Sequence, residues 1–249
     1  MSLKCKNCAS VNSVKNGFAE GVQRYRCKDC GYNYIQGDKR QKYTSSDRLK
    51  VLKLYLENCG IRTIERLTGV RNSQISKWIL EAADGIRKEL SLHQNNIKSI
   101  EDISILEIDE LCTYIKKRSK NGGEFTFVWI AVDRNRNEVI DFEVGDRSKS
   151  TYLKLARRIE LKYKIKHLCT DDYSAYKYYK ISEHHHTTKS ETSLVESINS
   201  LVRHYLARFN RRTKRYSKSI NMLEASLMIF FNKNLLDFDF HLYLLGNVK

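Results

Sequence analysis

The sequence predicts a multidomain α+β chain, and three features carry that reading. Two closely spaced cysteine pairs open the chain, and a stretch with helical apolar spacing follows. Beyond residue 102 the apolar period shortens to that of β-strands. The expected units are a cysteine-bearing segment at 1–40, a helical segment at 41–90, a polar linker at 91–102 (SLHQNNIKSIED) and an α/β domain at 103–240.

The first unit reads as a zinc ribbon. Cys5-Lys-Asn-Cys8 and Cys27-Lys-Asp-Cys30 form C-x2-C-x18-C-x2-C. Two-residue spacing lets both thiolates of a pair reach one ion from a tight knuckle, and two knuckles complete a tetrahedron with Zn–S distances of about 2.3 Å. Four thiolates leave no open coordination position, so this Zn²⁺ is structural. Gly31 after the second knuckle suits a positive φ, and Asn16-Gly17 and Glu20-Gly21 suit hairpin turns. Cys59, Cys112 and Cys169 stand singly and read as small buried apolar residues in a reducing compartment.

In the second unit, Thr44, Ser45, Ser46 and Asp47 offer N-caps for a helix carrying Leu49, Leu52, Leu54 and Leu56 and ended by Gly60. Residues 61–67 make a short helix, Thr68-Gly69-Val70 a turn, and Asn72 or Ser73 caps a helix through Ile75, Trp78, Ile79 and Leu80. Two helices around a glycine turn match the helix-turn-helix, which presents the start of its second helix to the DNA major groove. Arg71, Asn72, Ser73, Gln74 and Lys77 are the candidate readers, because Asn and Gln can contact adenine bidentately, and Arg or Lys guanine. An αα-hairpin with a solvated charged face is the competing reading.

Charge favours the first. The chain carries +16, with +10 over residues 1–100 and −3 over 101–150, so a basic front end precedes an acidic insert. Such an excess is the footprint of a polyanion, since each neutralised phosphate releases condensed counterions. Membrane partners are not expected. No run approaches the ~18 apolar residues of a span, and no apolar leader opens the chain. A soluble, unexported protein is expected, cytoplasmic and nucleoid-associated in a prokaryote or nuclear in a eukaryote.

The third unit opens with three short β-rich runs, ISILEID, FTFVWIAVD and EVIDFEV, joined at Asn121-Gly122-Gly123 and at Arg134–Asn137. An amphipathic helix over 149–164 follows, with Tyr152, Leu153, Leu155, Ala156, Ile159 and Tyr163 on one side. Then come a buried strand (IKHLCTD), a helix over 192–210, a basic loop at 211–219 and an apolar helix over about 220–236. Ribonuclease-H-like domains share this order with other mixed α/β folds. Phosphodiester chemistry with two metals needs carboxylates that converge from separate elements. Asp109 at the end of the first strand, Asp171 at the end of the fourth and Glu196 on the next helix are the candidates. At 100° per residue Glu196 lies roughly 145° from the centre of the apolar face made by Leu194, Ile198, Leu201, Val202, Tyr205, Leu206 and Phe209, with Asn199 and Arg203 close to it. Such a stripe suits ligands or plain solvation.

These residues resemble the insertion-sequence-one family of DNA transposases over about residues 3–235. The likeness lies in the cysteine knuckles with Gln23-Arg24-Tyr25-Arg26 before the second, the helix-turn-helix, Ile108-Asp109-Glu110, Thr170-Asp171 and Val195-Glu196-Ser197-Ile198-Asn199. The basic segment 211–219, ending Tyr216-Ser217-Lys218-Ser219, resembles the family's motif after the catalytic helix. The resemblance implies that Asp109, Asp171 and Glu196 bind two Mg²⁺ or Mn²⁺ ions, and that the front end recognises the terminal inverted repeats of double-stranded DNA. Arg211, Arg212, Lys214, Arg215 and Lys218 are the expected backbone contacts. Joining two ends to target DNA calls for a homodimer or a larger assembly. Family members carry Gly after the second aspartate where this chain has Asp172, which leaves Asp172 open beside Asp171. Glu107, Glu110 and Glu191 are weaker alternatives. A non-catalytic DNA-binding regulator or inactive transposase remnant, and a structure-selective nuclease of the same fold, are the rival functions. His184-His185-His186 reads as a strand or loop near DNA and not as a metal site, and Tyr173, Tyr176, Tyr178 and Tyr179 as helix packing.

Overall fold

The computed structural model describes residues 3–35, 43–96, 100–116, 125–211 and 213–235. The expected Asn121-Gly122-Gly123 turn and Arg212 fall outside these residues. The front unit is a three-stranded antiparallel sheet of β1 (Ser13–Ala19), β2 (Val22–Cys27) and β3 (Asn33–Ile35). Glu20 and Gly21, at φ 51° and 78°, turn β1 into β2. Two successive positive φ values give the turn whose twist matches a hairpin. Asn16-Gly17, expected as a turn, instead sits in β1, where the register shifts between Lys15 and Phe18.

Three helices follow: α1 (Ser45–Leu56), α2 (Ile61–Thr68) and α3 (Asn72–Asn96). Thr44 and Asp47 form a reciprocal capping box at the start of α1, and Gly69 ends α2 in the left-handed region at φ 71°. The cap of α3 corrects the expectation. Asn72 is already helical, and the Glu65 carboxylate on α2 accepts its N–H at 3.0 Å and its side-chain amide at 3.4 Å. A carboxylate there also favours the positive end of the helix dipole. Helix α3 continues through 91–96, half of the expected linker, before β4 begins at Glu101.

The α/β unit is a five-stranded sheet ordered β6-β5-β4-β7-β8. It comprises β4 (Glu101–Tyr114), β5 (Phe125–Asp133), β6 (Glu138–Gly145), β7 (Tyr163–Cys169) and β8 (Ser182–His186). β4, β5 and β6 form an antiparallel meander, and β7 and β8 add in parallel on the other side of β4. This is the ribonuclease-H-like order, with β4 central. The period of two along β5 sends Trp129 and Ala131 to one face and Val128, Ile130 and Val132 to the other. Tyr152, Leu155, Ala156 and Ile159 of α4 (Lys149–Glu160) cover the first face. Helices α5 (Ser193–Tyr205) and α6 (Ile220–Phe231) cover the second, and α3 lies along α6.

Helices α1–α3 therefore share one hydrophobic core with the five-stranded sheet and its covering helices, through Leu52, Ile64, Ile75 and Ile79 on one side and Leu223, Leu227 and Ile229 of α6 on the other. Buried polar bonds cross the same seam: the Tyr55 and Ser226 hydroxyls pair at 2.6 Å, and Arg208 donates to Tyr55 and to Ser217. Three helix ends differ from expectation. α4 stops at Glu160 so that Tyr163 can enter β7, α5 stops at Tyr205 with Leu206 extended, and α6 stops at Phe231. Leu206 and Phe209 are buried all the same, from the turn beyond α5. No helix forms around Tyr173–Tyr179. Those residues make turns, with Tyr176 buried against Trp129 and Tyr152. Cys169 is buried as expected, whereas Cys59 and Cys112 are only half-buried.

Candidate active site

Asp109 lies mid-strand on β4 and not at its end, because the antiparallel pairing with β5 runs on to Tyr114. Asp171 sits two residues past β7, the parallel neighbour on the other side. Central adjacent strands thus bring the two aspartates together. One carboxylate oxygen from each of Asp109, Glu110 and Asp171 lies within 4.8 Å of the others. Asp172 turns away and pairs with Lys177 at 2.6 Å. Its turn also fixes Asp171, whose Oδ1 accepts the Tyr173 N–H at 2.9 Å.

Glu196 stands outside that tight group. It is exposed on the first turn of α5 and lines a cleft with Asp109, Asn199, Arg203 and Arg211. Burial pushes the Asp109 carboxyl up, and the neighbouring charges of Asp171 and Glu196 add to that push, while the Glu110 N–H and the Asn199 amide oppose it. Glu110 differs in kind. Neighbouring strand residues point to opposite faces, and its side chain, 2% exposed, turns toward Tyr176 with Arg147 at 3.3 Å. Burial first, and then the Asp171 and Asp109 charges, carry its pKa up to about 7 against the pull of Arg147. The same guanidinium reaches Asp171 at 3.8 Å and lies 4.1 Å above the Tyr173 ring.

Four residues have roles here that sequence reasoning did not assign to them. The Asn199 amide donates to Asp109 Oδ2 at 2.7 Å and is buried, not solvated. Its position three residues after Glu196 on one stripe was the available signal. Glu107 shares the strand face of Asp109 and is fully buried. Its Oε2 accepts the Val195 N–H at 2.9 Å and its Oε1 accepts from Arg134 Nε at 2.6 Å. Arg134 reaches on to Glu191 at 3.0 Å, so this network clamps the start of α5, and with it Glu196, to the sheet. Glu107 and Glu191, held open as metal ligands, are placed there as structural partners. No sequence signal marked Arg134 or Arg147. Replacing Glu107 by Ala leaves the Val195 N–H and Arg134 without their partner. The expected loss is about 3 kcal/mol of stability in urea unfolding, and a loss below ~1 kcal/mol would show that the clamp carries little.

The four knuckle cysteines also converge. Their sulfurs lie within 4.8 Å of one another, with Cys5–Cys30 at 3.5 Å and Cys8–Cys27 at 3.6 Å. A tetrahedron with Zn–S of 2.3 Å has edges of roughly 3.8 Å, so the spacing suits zinc. Burial raises the Cys27 thiol, but the Cys30 and Asp29 N–H groups outweigh it and bring it down to about 7. Gly31 and Ala9 take the same positive φ, 69° and 60°, after their knuckles, and each N–H returns to the carbonyl of the first cysteine.

Of the expected readers, Arg71, Asn72, Ser73 and Lys77 are exposed and Gln74 half-buried at the start of α3. Arg211, Lys214, Arg215 and Lys218 are exposed in the segment between α5 and α6. Arg215 packs on Gly60, and Lys218 donates to the Lys116 carbonyl at 3.3 Å.

The family model described as IS1 transposase matches residues 103–237, which include every strand of the larger sheet beyond its first two residues and all three candidate acids. The chain belongs to the IS1 transposase family. It is a DNA transposase by that membership, and nothing favours the regulator or structure-selective nuclease readings. No curated protein matches the sequence. Among solved structures, the catalytic core domain of BIV integrase is 16% identical, with a TM-score of 0.34 over 50% of this chain and 82% of that one. The Mos1 strand transfer complex is 12% identical, with a TM-score of 0.33 over 82% and 74%. No described helix of this IS1-family chain is long and apolar enough to cross a membrane.

Proposed function

We propose that this IS1-family chain cuts the ends of its element and joins them to target DNA, using Asp109, Asp171 and Glu196 as the ligands of divalent cations. The observation that carries the reading is the convergence of Asp109 on β4 with Asp171 just past β7, beside an open cleft that Glu196 lines and Arg203 and Arg211 flank. The donor set fits Mg²⁺ or Mn²⁺, which favour carboxylate oxygen. So does the Asn199 Oδ1, a buried acceptor beside Asp109 with no hydrogen-bond partner among the described residues, which suits a hydrated cation. Bound there, two such ions would supply Lewis-acid polarisation of a phosphodiester and neutralise the charge gathering on its oxygens.

The chain's own groups do the rest. Asn199 holds the Asp109 carboxylate in one rotamer, and the Glu107–Arg134 clamp holds α5 so that Glu196 stays beside it. Arg203 and Arg211 take the DNA backbone along the cleft, and Lys214, Arg215 and Lys218 extend that basic rim, with Arg212 in the same segment. The start of α3 reads the terminal inverted repeats through Arg71, Ser73, Gln74 and Lys77, with Asn72 partly engaged by Glu65. Hydrolysis leaves a 3′-hydroxyl on the element. That hydroxyl attacks a target phosphodiester, one P–O bond forming as another breaks. Two ends require two chains at least, so a homodimer or larger assembly acts.

A supercoiled plasmid carrying the matching ends, incubated with Mg²⁺, tests the proposal. Wild type is expected to release cut ends and joined products, and Asp109→Ala neither, with end binding retained. Equal cleavage by the two proteins would overturn the assignment.

A further inference from the structure

The histidine run acquires a different meaning once β8 is in place. β8 pairs in parallel with β7, His167 lying opposite His184 and Cys169 opposite His186. The period of two then sends His184 and His186 to one face and His185 to the other, where the ring nitrogen of His185 bonds the Thr170 hydroxyl at 2.8 Å. The first two meet the imidazole of His167. Nδ1 of His167 is 3.1 Å from Nε2 of His186, and the His167 and His184 rings stack with centroids 5.1 Å apart.

We propose that His167 and His186, with His184 stacked beside them, form a surface site for a late first-row divalent cation, separate from the carboxylate cluster and the cysteine knuckles. Two imidazole nitrogens bound to one tetrahedral ion at 2.0–2.1 Å stand roughly 3.3 Å apart, so His167 and His186 already hold the span of a chelating pair. Imidazole suits Zn²⁺, Ni²⁺ and Cu²⁺, and not Mg²⁺. Ligation needs neutral rings. His184 stacks on the His167 ring beside the pair and does not itself converge on the same point. Glu183, the nearest carboxylate in sequence, faces away and pairs with Lys164 at 3.7 Å. An ion bound here ties the edge strand β8 to β7 close to Thr170, whose N–H donates to the His186 carbonyl.

The test uses full-length protein dialysed to one zinc per chain in Mg²⁺ buffer, so that the cysteines and carboxylates are supplied and the histidines are free, and titrates Ni²⁺ by calorimetry. Wild type and His185→Gln are expected to bind Ni²⁺ alike. His167→Gln and His186→Gln are expected to bind more than about tenfold more weakly, a loss that even an outer partner of a metal ligand can cause. Thermal melts of the variants confirm that the fold survives. The site is refuted if wild type takes up no Ni²⁺, or if a His167→Gln/His186→Gln double variant that melts like wild type binds it equally well. DNA cleavage is not the readout, so a failure here leaves the carboxylate assignment standing.

Discussion

Replacing Glu196 by Gln is expected to lower Mg²⁺-dependent end cleavage by about 10³-fold or more, some 4 kcal/mol of transition-state stabilisation, while Glu110→Gln keeps most of the activity. Distance alone points the other way, since Glu110 and not Glu196 completes the tight group with Asp109 and Asp171. Three facts favour Glu196. The Glu110 side chain is 2% exposed, whereas Glu196 is exposed in a cleft that a duplex can reach. Glu110 already has a counter-charge in Arg147, and it stands on the strand face opposite Asp109. Measuring cleavage by both variants beside gel-shift binding to the ends separates the readings. Full activity in Glu196→Gln with none in Glu110→Gln would reverse them.

The same comparison shows what the sequence reveals and what it hides. Strand period and order were legible. The period of two places Glu107 and Asp109 on one face, and an unbroken apolar run marks β5 as the strand buried on both faces. The convergence of Asp109 with Asp171 was legible because β4 and β7 are adjacent central strands, although the position of Asp109 within β4 was not. Helix α5 was recoverable in rotation but not in burial. Asn199 sits on the polar stripe, yet it is buried because Asp109 needs a donor there, a long-range requirement that helical periodicity does not record. Arg134 and Arg147 were invisible for a related reason. Each follows a strand within a polar turn, and its role appears only when residues far along the chain, Glu191 and Asp171, fold against it. The Glu65 cap on α3 belongs to the same class, since local rules favour Asn72 or Ser73 and the competing carboxylate comes from the preceding helix.

Chelating the zinc is expected to unfold residues 3–35 while the larger sheet stays intact. The ribbon's buried residues are Cys5, Cys27, Cys30 and Tyr34, so three of its four core positions are ligands. Its remaining apolar side chains do not compensate. Val11, Val14, Phe18 and Val22 are exposed, Phe18 at 70%. Strands of seven, six and three residues hold no independent stability on that core. Zinc binding to such sites is worth about 10–16 kcal/mol near neutral pH, more than a small domain's whole stability. Metal loss should therefore remove amide-exchange protection from β1, β2 and β3 together and leave β4, β5 and β7 protected, since those strands lie in cores built without cysteine ligands. After dialysis that strips zinc from surface histidines, metal analysis is expected to return one tightly held zinc per chain, and Cys27→Ser, which removes a fully buried knuckle sulfur, should reproduce the chelated state. Protection of β1–β3 that persists in metal-free protein would mean that the four sulfurs serve only as core packing.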